Sequence, residues 1–290
     1  MQLVAWKEQV SAGISLTGWH STPTGKPVLH FLHGNGFCCR TYEPMLKHLS
    51  ESFDLWLCDI QGHGDSEHGK KFLGWNRNAQ LAAEVFQKRR GIFGNVPIYG
   101  AGHSLGAVLT SLMAAENPRL FNKIILLDPV FFSPRMIFLM QSLSWLGLSK
   151  QHSLAKSAAR RRNQWPSKEA AFSALRPRGV FKYWTDDSMW AYVNHAMMEV
   201  QGGVQLKCRP SLEAKIFSST PNKLWKSIFS IGIPVRILYA DKTFPFVRQS
   251  ALRWSASKTN VSTQEVVGDH CFMQGTPEET AQLMKRFLID

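Results

Sequence analysis

The stretch Tyr99–Ala115, YGAGHSLGAVLTSLMAA, joins two kinds of secondary structure. The chain enters through a short apolar, strand-like run, VPIYGAG, and leaves through LGAVLTSLMAA, which has the pattern of a buried helix. Ser104 stands at the junction, with Gly102 and Gly106 two residues to either side. Because glycine tolerates tight turns and close backbone contact, this arrangement predicts a sharp strand-to-helix turn that projects the serine hydroxyl.

The Gly-x-Ser-x-Gly pattern between a strand and a helix is typical of a nucleophile elbow. Such a turn holds the serine in a strained backbone conformation, with its hydroxyl exposed beyond the end of the strand. The N-terminus of the following helix directs free N–H groups to the same place, and these groups favour developing negative charge. We therefore take Ser104 as the candidate nucleophile.

Apolar runs alternate with helical segments on both sides of this turn. Strands are predicted at 26–32, 53–58, 96–99, 123–127, 233–240 and 262–267, and helices at 42–49, 78–90, 105–116, 246–257 and from Pro277 onward. This alternation is typical of right-handed βαβ units. It predicts an α/β fold with a mostly parallel central sheet flanked by helices.

The alternation is interrupted between residues 133 and 229, where the sequence is mostly helical, aromatic and basic. We expect residues 1–132 and 230–290 to form one core, and residues 133–229 to form an inserted, mainly helical cap. Apolar residues of this insertion would either line an acyl pocket or form the cap's own core. These residues are Met136, Phe138, Met140, Trp145, Leu146, Leu148, Trp184, Trp190 and Met197.

Composition and charge argue against several classes of protein. The chain has 290 residues, 44% of them hydrophobic, and a formal net charge of +13. Its main basic cluster, Arg160–Arg162, comes without a nucleic-acid-binding motif, so we expect no nucleic-acid partner. We expect neither a signal peptide nor a transmembrane segment, because no apolar run approaches ~20 residues. Five cysteines without a C-x-x-C pair argue against disulfides and zinc, and favour a cytoplasmic location.

A serine nucleophile requires a base, and the sequence offers ten histidines. His270 directly follows the last predicted strand and precedes the last predicted helix. Because the strands of a parallel sheet point the same way, its loop is expected at the same edge of the sheet as Ser104. His33, His63 and His103 lie in glycine-rich motifs, where a turn-shaping role is as reasonable as a catalytic one. His270 is therefore the candidate base.

Five motifs along the chain resemble, in the same order, those of the α/β-hydrolase family. They are HGNGF (33–37), DIQGHGDS (59–66), GHSLGA (102–107), LLDP (126–129) and GDH (268–270). The resemblance spans residues 28–290 apart from the insertion, and it implies the α/β-hydrolase fold with a serine esterase or lipase-like activity. It also implies an oxyanion hole formed by the backbone N–H groups of Asn35 and Leu105.

The sequence departs from the commonest pattern of this family at the catalytic acid. Most relatives place an aspartate in the turn after the strand equivalent to 233–240, and the ungapped equivalent here is Thr243, which has no carboxylate. Asp241 would serve instead if that loop is two residues shorter. Asp128, after the strand 123–127, resembles the site of the acid in pancreatic lipases. We favour Asp128 and keep Asp241 as the alternative.

Serine rather than aspartate at the elbow implies acyl transfer. We expect a small-molecule acyl substrate: a carboxylic ester, thioester or lactone with an apolar acyl part, hydrolysed through an acyl-enzyme on Ser104 without a cofactor. The alternatives are hydrolysis of a carbon–carbon bond in a β-diketone, and a non-catalytic binding protein on the same fold. His63, Asp65 and His68 have side chains that can bind a metal, but the resemblance gives their turn a structural role, so no metal is expected.

Overall fold

The computed structural model describes residues 1–145 and 153–289. Of the apolar residues singled out in the insertion, Leu146 and Leu148 lie outside the described residues, as does the side chain of Trp145.

The described strands form one large sheet and one small sheet. They are β1 (Leu3–Gln9), β2 (Ser15–Ser21), β3 (Val28–Leu32), β4 (Asp54–Asp59), β5 (Ile98–His103), β6 (Lys123–Leu127), β7 (Gln164–Trp165), β8 (Met197–Val200), β9 (Gly203–Leu206), β10 (Val235–Ala240) and β11 (Val261–Val266). The large sheet has eight strands in the order β1-β2-β4-β3-β5-β6-β10-β11. The pairs β1–β2 and β2–β4 are antiparallel, and the pairs from β4 to β11 are parallel, as the sequence predicts.

Helices connect the parallel strands and fill the insertion. They are α1 (Glu43–Leu49), α2 (Trp75–Arg89), α3 (Leu105–Glu116), α4 (Pro134–Trp145), α5 (Ser153–Arg160), α6 (Lys168–Leu175), α7 (Asp186–His195), α8 (Pro210–Phe217), α9 (Leu224–Phe229), α10 (Pro245–Ser257), α11 (Phe272–Gly275) and α12 (Pro277–Ile289). The helix predicted at 105–116 matches α3, whose residues Leu105–Ala114 are all buried.

Strand β3 illustrates why both faces of the sheet are covered. All five of its residues are buried. Successive side chains point to opposite faces. Val28 and Leu32 join an apolar cluster that includes residues of α2, α3 and α10, whereas Leu29 and Phe31 join a cluster that includes residues of α1 and α12. Four of the five residues are apolar and the fifth, His30, is also buried, as is typical of a parallel strand between two layers of helices.

The topology brings four loops to one edge of the large sheet. Ser104 follows β5, Asp128 follows β6 and Asp241 follows β10. His270 lies in the loop after β11, two residues beyond Gly268. Because β5, β6, β10 and β11 run parallel and are neighbours in this order, their carboxyl ends lie side by side. The candidate residues thus converge although 166 residues separate Ser104 from His270 in the sequence.

The segment between β6 and β10 is less helical than the sequence suggests. The predicted helical run MWAYVNHAMMEV ends at His195, and Met197–Val200 forms strand β8 instead. β8 pairs antiparallel with β9, and β7 pairs with the other side of β9. At the end of this segment, α9 buries Leu224 and Ile228 in the same cluster as α3, so the last helix packs onto the core. The division at residues 132 and 230 stays a prediction.

No helix within residues 1–145 and 153–289 has both the length and the apolar character that crossing a membrane requires. All five cysteines belong to the described residues, and each is buried and free of a disulfide. The cytoplasmic location stays a prediction.

Candidate active site

Ser104 occupies the strained turn that its flanking glycines predict. Its φ is 53° and its ψ is −113°, a backbone conformation that residues other than glycine rarely adopt. The Ser104 N–H donates to the carbonyl of Leu127 at 2.9 Å, which ties the turn to the end of β6. A Cβ on Gly102 would collide with the backbone of Gly106, and a Cβ on Gly106 would collide with the carbonyl of Leu32. Both glycines are therefore required by close backbone contact.

The imidazole of His270 bridges Ser104 and Asp128. Its Nε2 lies 2.9 Å from Ser104 Oγ, and its Nδ1 lies 2.6 Å from Asp128 Oδ2. A carboxylate oxygen can only accept a hydrogen bond, so the Nδ1 atom carries the proton and donates it. The lone pair of Nε2 then faces the serine hydroxyl. This tautomer can accept the serine proton, as a general base must.

Asp128 is held by the neighbouring strand. The residue is fully buried and has a φ of 44°. Its N–H donates to the carbonyl of Leu238 at 2.7 Å, and its Oδ1 accepts the N–H of Ala240 at 2.9 Å. Its Oδ2, the atom that faces His270, also accepts the hydroxyl of Thr243. A buried carboxylate needs such donors, because burial without them costs several kcal/mol.

The structure separates the two alternative acids. Asp241 is exposed, and its Oδ1 accepts the N–H of Gly268 at 2.8 Å, so it stabilises the loop that follows β11. Asp128 is the one of the two that reaches the imidazole of His270. Thr243, which occupies the usual family position of the acid, contacts the carboxylate of Asp128. This contact between Thr243 and Asp128 was not predicted, and its one signal in the sequence is the threonine at position 243.

The turn after β3 leaves one N–H group available beside the elbow. The N–H of Gly34 donates to Tyr42 Oη at 3.0 Å, and the N–H of Gly36 donates to His63 Nε2 at 3.0 Å. Between them, the N–H of Asn35 has no partner in the described part of the chain. Of the N–H groups of Gly34, Asn35 and Gly36, the predicted oxyanion donor Asn35 is thus the one without a partner among the described residues.

Leu105 offers the second predicted donor. It is the first residue of α3, so its N–H lies in the first turn and has no carbonyl within the helix to bind. The dipole of α3 adds to the positive potential at this end. The side chain of Asn35 is occupied elsewhere, because its Nδ2 donates to the carbonyl of Glu213 in α8 at 3.2 Å.

The three competing histidines are buried and bind the backbone. Burial lowers the pKa of His33 to about 4, and burial also lowers the pKa values of His63 and His103 well below the usual value. His33 Nδ1 donates to the carbonyl of Gly34 at 2.8 Å, and His63 Nδ1 donates to that of Gln61 at 3.0 Å. All three are neutral at pH 7, and they shape the turns around the site.

His33, Cys39 and Asp59 form a buried group of atoms that are close enough to bind one metal ion. Each candidate ligand atom already has a partner within the protein. Asp59 Oδ1 accepts the N–H of Cys39 at 2.7 Å, His33 Nε2 accepts that of Ile60 at 3.1 Å, and the Cys39 thiol donates to Cys58 O at 3.0 Å. Burial raises the pKa of Asp59 to about 7. The hydrogen bonds of this group join the segment that follows β3 to the end of β4.

A row of aromatic rings extends from the imidazole of His270. Phe244 lies edge-on to it at 5.3 Å, and Phe246, Phe132 and Trp75 follow at centroid distances of 5.7, 5.7 and 6.0 Å. We call Phe244, Phe246, Phe132 and Trp75 the aromatic row. The half-buried residues Met136 and Met140 of α4 pack against the large apolar cluster that contains Phe132 and Trp75.

Other apolar residues of the insertion are used for its own packing. Trp184 and Met197 are buried, and Trp190 stacks on Phe172 with a centroid distance of 4.6 Å. Phe138 has the opposite environment, with 74% of its surface exposed. Met136 and Met140 are therefore the described residues of this predicted set that pack against the cluster containing Phe132 and Trp75.

Comparison with known proteins agrees with this architecture. A model described as the alpha/beta hydrolase family matches residues 31–283. A 118-residue segment is 30% identical to a monoglyceride lipase from Mus musculus and covers 39% of this chain and 38% of that protein. The chain therefore aligns with well under half of the length of this relative.

Two solved structures share the whole fold. The structure of an E-2-(acetamidomethylene)succinate hydrolase has a TM-score of 0.81 and 20% identity over all of both chains. An esterase from Mycobacterium tuberculosis has a TM-score of 0.71 and 18% identity over 100% of this chain and 92% of its own. This chain belongs to the α/β-hydrolase family, and the predicted fold is confirmed.

Proposed function

We propose that the protein is a serine hydrolase that cleaves carboxylic esters with an apolar acyl part. The observation that carries this proposal is the continuous hydrogen-bonded path from Ser104 Oγ through His270 to Asp128, with distances of 2.9 and 2.6 Å. The base is within hydrogen-bond distance of both the nucleophile and the acid, which is the arrangement that acyl transfer by a serine requires.

In the proposed mechanism, Ser104 Oγ attacks the ester carbonyl while His270 Nε2 accepts the hydroxyl proton. Asp128 stabilises the resulting imidazolium through Nδ1. The N–H groups of Asn35 and Leu105 bind the oxyanion of the tetrahedral intermediate, and one such donor contributes ~2.7–4 kcal/mol. His270 then donates its proton to the departing alcohol. Water hydrolyses the acyl-enzyme by the same steps.

The aromatic row supports an apolar substrate. Its first ring, Phe244, lies beside His270, next to the position of the reacting carbonyl. Phe244 is exposed and Phe246 is half-buried, so these two rings offer apolar surface for an alkyl or aryl chain, with the buried rings of Phe132 and Trp75 behind them. The partial similarity to a monoglyceride lipase agrees with an ester of this type. Thioesters and lactones have the same electrophilic carbonyl and belong to the proposed range of substrates.

We also propose that residues 133–229 act as a cap over this site. Three contacts support this: Asn35 Nδ2 donates to Glu213 O, His195 Nε2 lies 3.1 Å from Glu43 Oε2, and the ring of Phe37 packs against Trp184 with a centroid distance of 5.4 Å. The cap thereby touches the same turn that presents the proposed oxyanion donor.

Hydrolysis of p-nitrophenyl acetate and p-nitrophenyl butyrate by the wild type tests the proposal. Ser104→Ala is expected to lower kcat on the order of 10⁶-fold. Ser111→Ala is the matched control, because Ser111 is a buried serine of α3, the helix that follows Ser104, and its hydroxyl donates only to the carbonyl of Ala107. The butyrate is expected to have the higher kcat/KM, since its longer chain reaches the aromatic row.

Two other results would contradict the proposal. Cleavage of a dienol-dione without cleavage of either ester would indicate carbon–carbon bond hydrolysis at the same triad. Inactivity towards all of these compounds, together with no labelling of Ser104 by a fluorophosphonate, would indicate a binding protein without catalytic activity.

A further inference from the structure

A chain of three hydrogen bonds connects the turn after β3 to the loop that carries His270. The N–H of Gly34 lies 3.0 Å from Tyr42 Oη, Tyr42 Oη lies 2.6 Å from His103 Nδ1, and His103 Nε2 lies 2.8 Å from the carbonyl oxygen of His270. We call these contacts the Tyr42–His103 chain. His103 directly precedes Ser104, so the chain passes through the elbow itself.

The direction of each bond follows from the chemistry of its atoms. The carbonyl of His270 can only accept, so His103 Nε2 carries a proton. Burial lowers the pKa of His103 well below its usual range, and the nearby imidazole of His270 lowers it further, so His103 is neutral and its Nδ1 accepts. The Tyr42 hydroxyl must then donate to Nδ1. Its oxygen accepts the N–H of Gly34, so all three bonds are satisfied at once.

The chain also fixes the direction of the proposed oxyanion donor. The carbonyl of Gly34 and the N–H of Asn35 belong to one planar peptide unit and point in opposite directions. His33 Nδ1 holds that carbonyl at 2.8 Å, while Tyr42 holds the N–H of Gly34. With both groups of Gly34 bound, the N–H of Asn35 has little freedom to rotate.

We infer that Tyr42 and His103 are positioning residues that hold the Asn35 N–H and the imidazole of His270 in a fixed relation to Ser104. This inference rests on the proposed function. Neither residue touches the reacting atoms in this arrangement. Their effect is on geometry, and displacement of a catalytic group by about 1 Å can lower a rate about 100-fold.

The inference predicts an effect on the transition state and little effect on substrate binding. Tyr42→Phe is expected to lower kcat for p-nitrophenyl butyrate by about 10- to 100-fold and to change KM by less than about twofold. An alkyl trifluoromethyl ketone, which forms a tetrahedral adduct with the serine, should lose affinity by the same factor as kcat/KM. Tyr99→Phe is the matched control, because the Tyr99 hydroxyl has no hydrogen-bond partner among the described residues.

A second variant keeps the test decisive if Tyr42→Phe folds poorly. His103→Gln retains an amide N–H and an amide oxygen, but it lacks the rigid ring whose two nitrogens meet the carbonyl of His270 and the hydroxyl of Tyr42 at the same time. It is expected to lower kcat by a similar factor. The kcat of the double variant should lie within about twofold of the kcat of the slower single variant, because both changes break the same chain. Rates are expressed per folded molecule, with folding followed by circular dichroism.

The possible outcomes separate this inference from the proposed function. An active wild type whose Tyr42→Phe and His103→Gln variants keep the wild-type kcat and ketone affinity would overturn the inference alone. Loss of thermal stability without loss of kcat would overturn it in the same way, because it would indicate a structural role. A wild type that neither cleaves esters nor reacts with a fluorophosphonate at Ser104 would overturn the proposed function, and the inference with it.

Discussion

The loops that follow β6 and β10 leave neighbouring strands of the same sheet, yet they serve the imidazole of His270 in different ways. The β6 loop supplies the buried carboxylate of Asp128, 2.6 Å from His270 Nδ1. The β10 loop supplies donors to that carboxylate, from the N–H of Ala240 and the hydroxyl of Thr243, while its own Asp241 faces outward. One loop thus holds the charge and the other stabilises it.

Both loops therefore reach the same carboxylate, one by carrying Asp128 and the other by donating to it from Thr243. Leu127 at the end of β6 is paired with Leu238 in β10, so the residues that follow lie within hydrogen-bond distance of one another. The hydroxyl of Thr243 meets the carboxylate of Asp128 although the two residues follow different strands. The predictions below test this division between the two loops.

Asp128→Asn is expected to have the largest effect. An amide at this position favours the wrong tautomer of His270, and kcat should fall by ~10⁴-fold with little change in KM. Steady-state hydrolysis of p-nitrophenyl butyrate measures this effect. Asp269→Asn is the matched control, because Asp269 adjoins His270 but accepts only the N–H of Cys271, at 2.8 Å. Equal losses in the two variants would contradict the role of Asp128.

Moving the carboxylate to the other loop should recover part of the activity. Asp128→Ala removes the acid, and adding Thr243→Asp places a carboxylate where the hydroxyl of Thr243 now meets Asp128. We expect the double variant to have a kcat ~100-fold above that of Asp128→Ala, since the restored acid is imperfectly placed. A kcat no higher than that of Asp128→Ala would show that the two strands cannot exchange this role.

Removing the hydroxyl of Thr243 tests the supporting half of the comparison. Thr243→Val keeps the shape of the side chain and deletes one donor to Asp128 Oδ2. A hydrogen bond to a charged group contributes ~1.5–3 kcal/mol, so kcat should fall by about 10- to 150-fold. Thr263→Val in β11 serves as the control, because Thr263 is half-buried and its hydroxyl has no hydrogen-bond partner among the described residues. An unchanged kcat would mean that the backbone of β10 holds the carboxylate without Thr243.

Asp241→Asn is expected to have the smallest effect. The amide oxygen of asparagine can still accept the N–H of Gly268, which the Asp241 carboxylate accepts at 2.8 Å. We expect kcat to stay within about twofold of the wild type. A loss comparable to that of Asp128→Asn, measured with the same substrate, would reverse the comparison between the two loops.

The sequence predicted the parts of the site that local geometry determines. Gly102 and Gly106 are required because two backbones meet there, so the pattern around Ser104 was sufficient to identify the elbow. His270 could be placed because the strands of a parallel sheet share one direction. The six parallel strands of the central sheet followed from the same alternation of strands and helices, whereas the antiparallel strands β1 and β2 were not predicted.

The choice of acid could not be made from the sequence alone, because it depends on how far each loop extends. Asp128 has a φ of 44°, and its donors come from residues more than 100 positions away, as the separation of 112 from Ala240 shows. The bond between Tyr42 and His103 likewise joins residues 61 positions apart. No local pattern of residue types reports such contacts.

The insertion differs from the core for a related reason. Met197–Val200 continues a helical pattern in the sequence, but this segment pairs with β9 as strand β8. Tertiary pairing overrides local propensity most readily in short segments, where few hydrogen bonds favour the helix. The alternating strands and helices of the large sheet were therefore easier to predict than the structure between β6 and β10.

The central claim is that the acyl group of an ester is transferred to Ser104. Rapid mixing of the wild type with excess p-nitrophenyl butyrate, followed by acid quench and peptide mass spectrometry, tests this claim directly. We expect a burst of p-nitrophenol of about one equivalent per protein and a butyryl group on the peptide that contains Ser104. Sustained hydrolysis with no acyl group on this peptide, and undiminished in Ser104→Ala, would contradict the account.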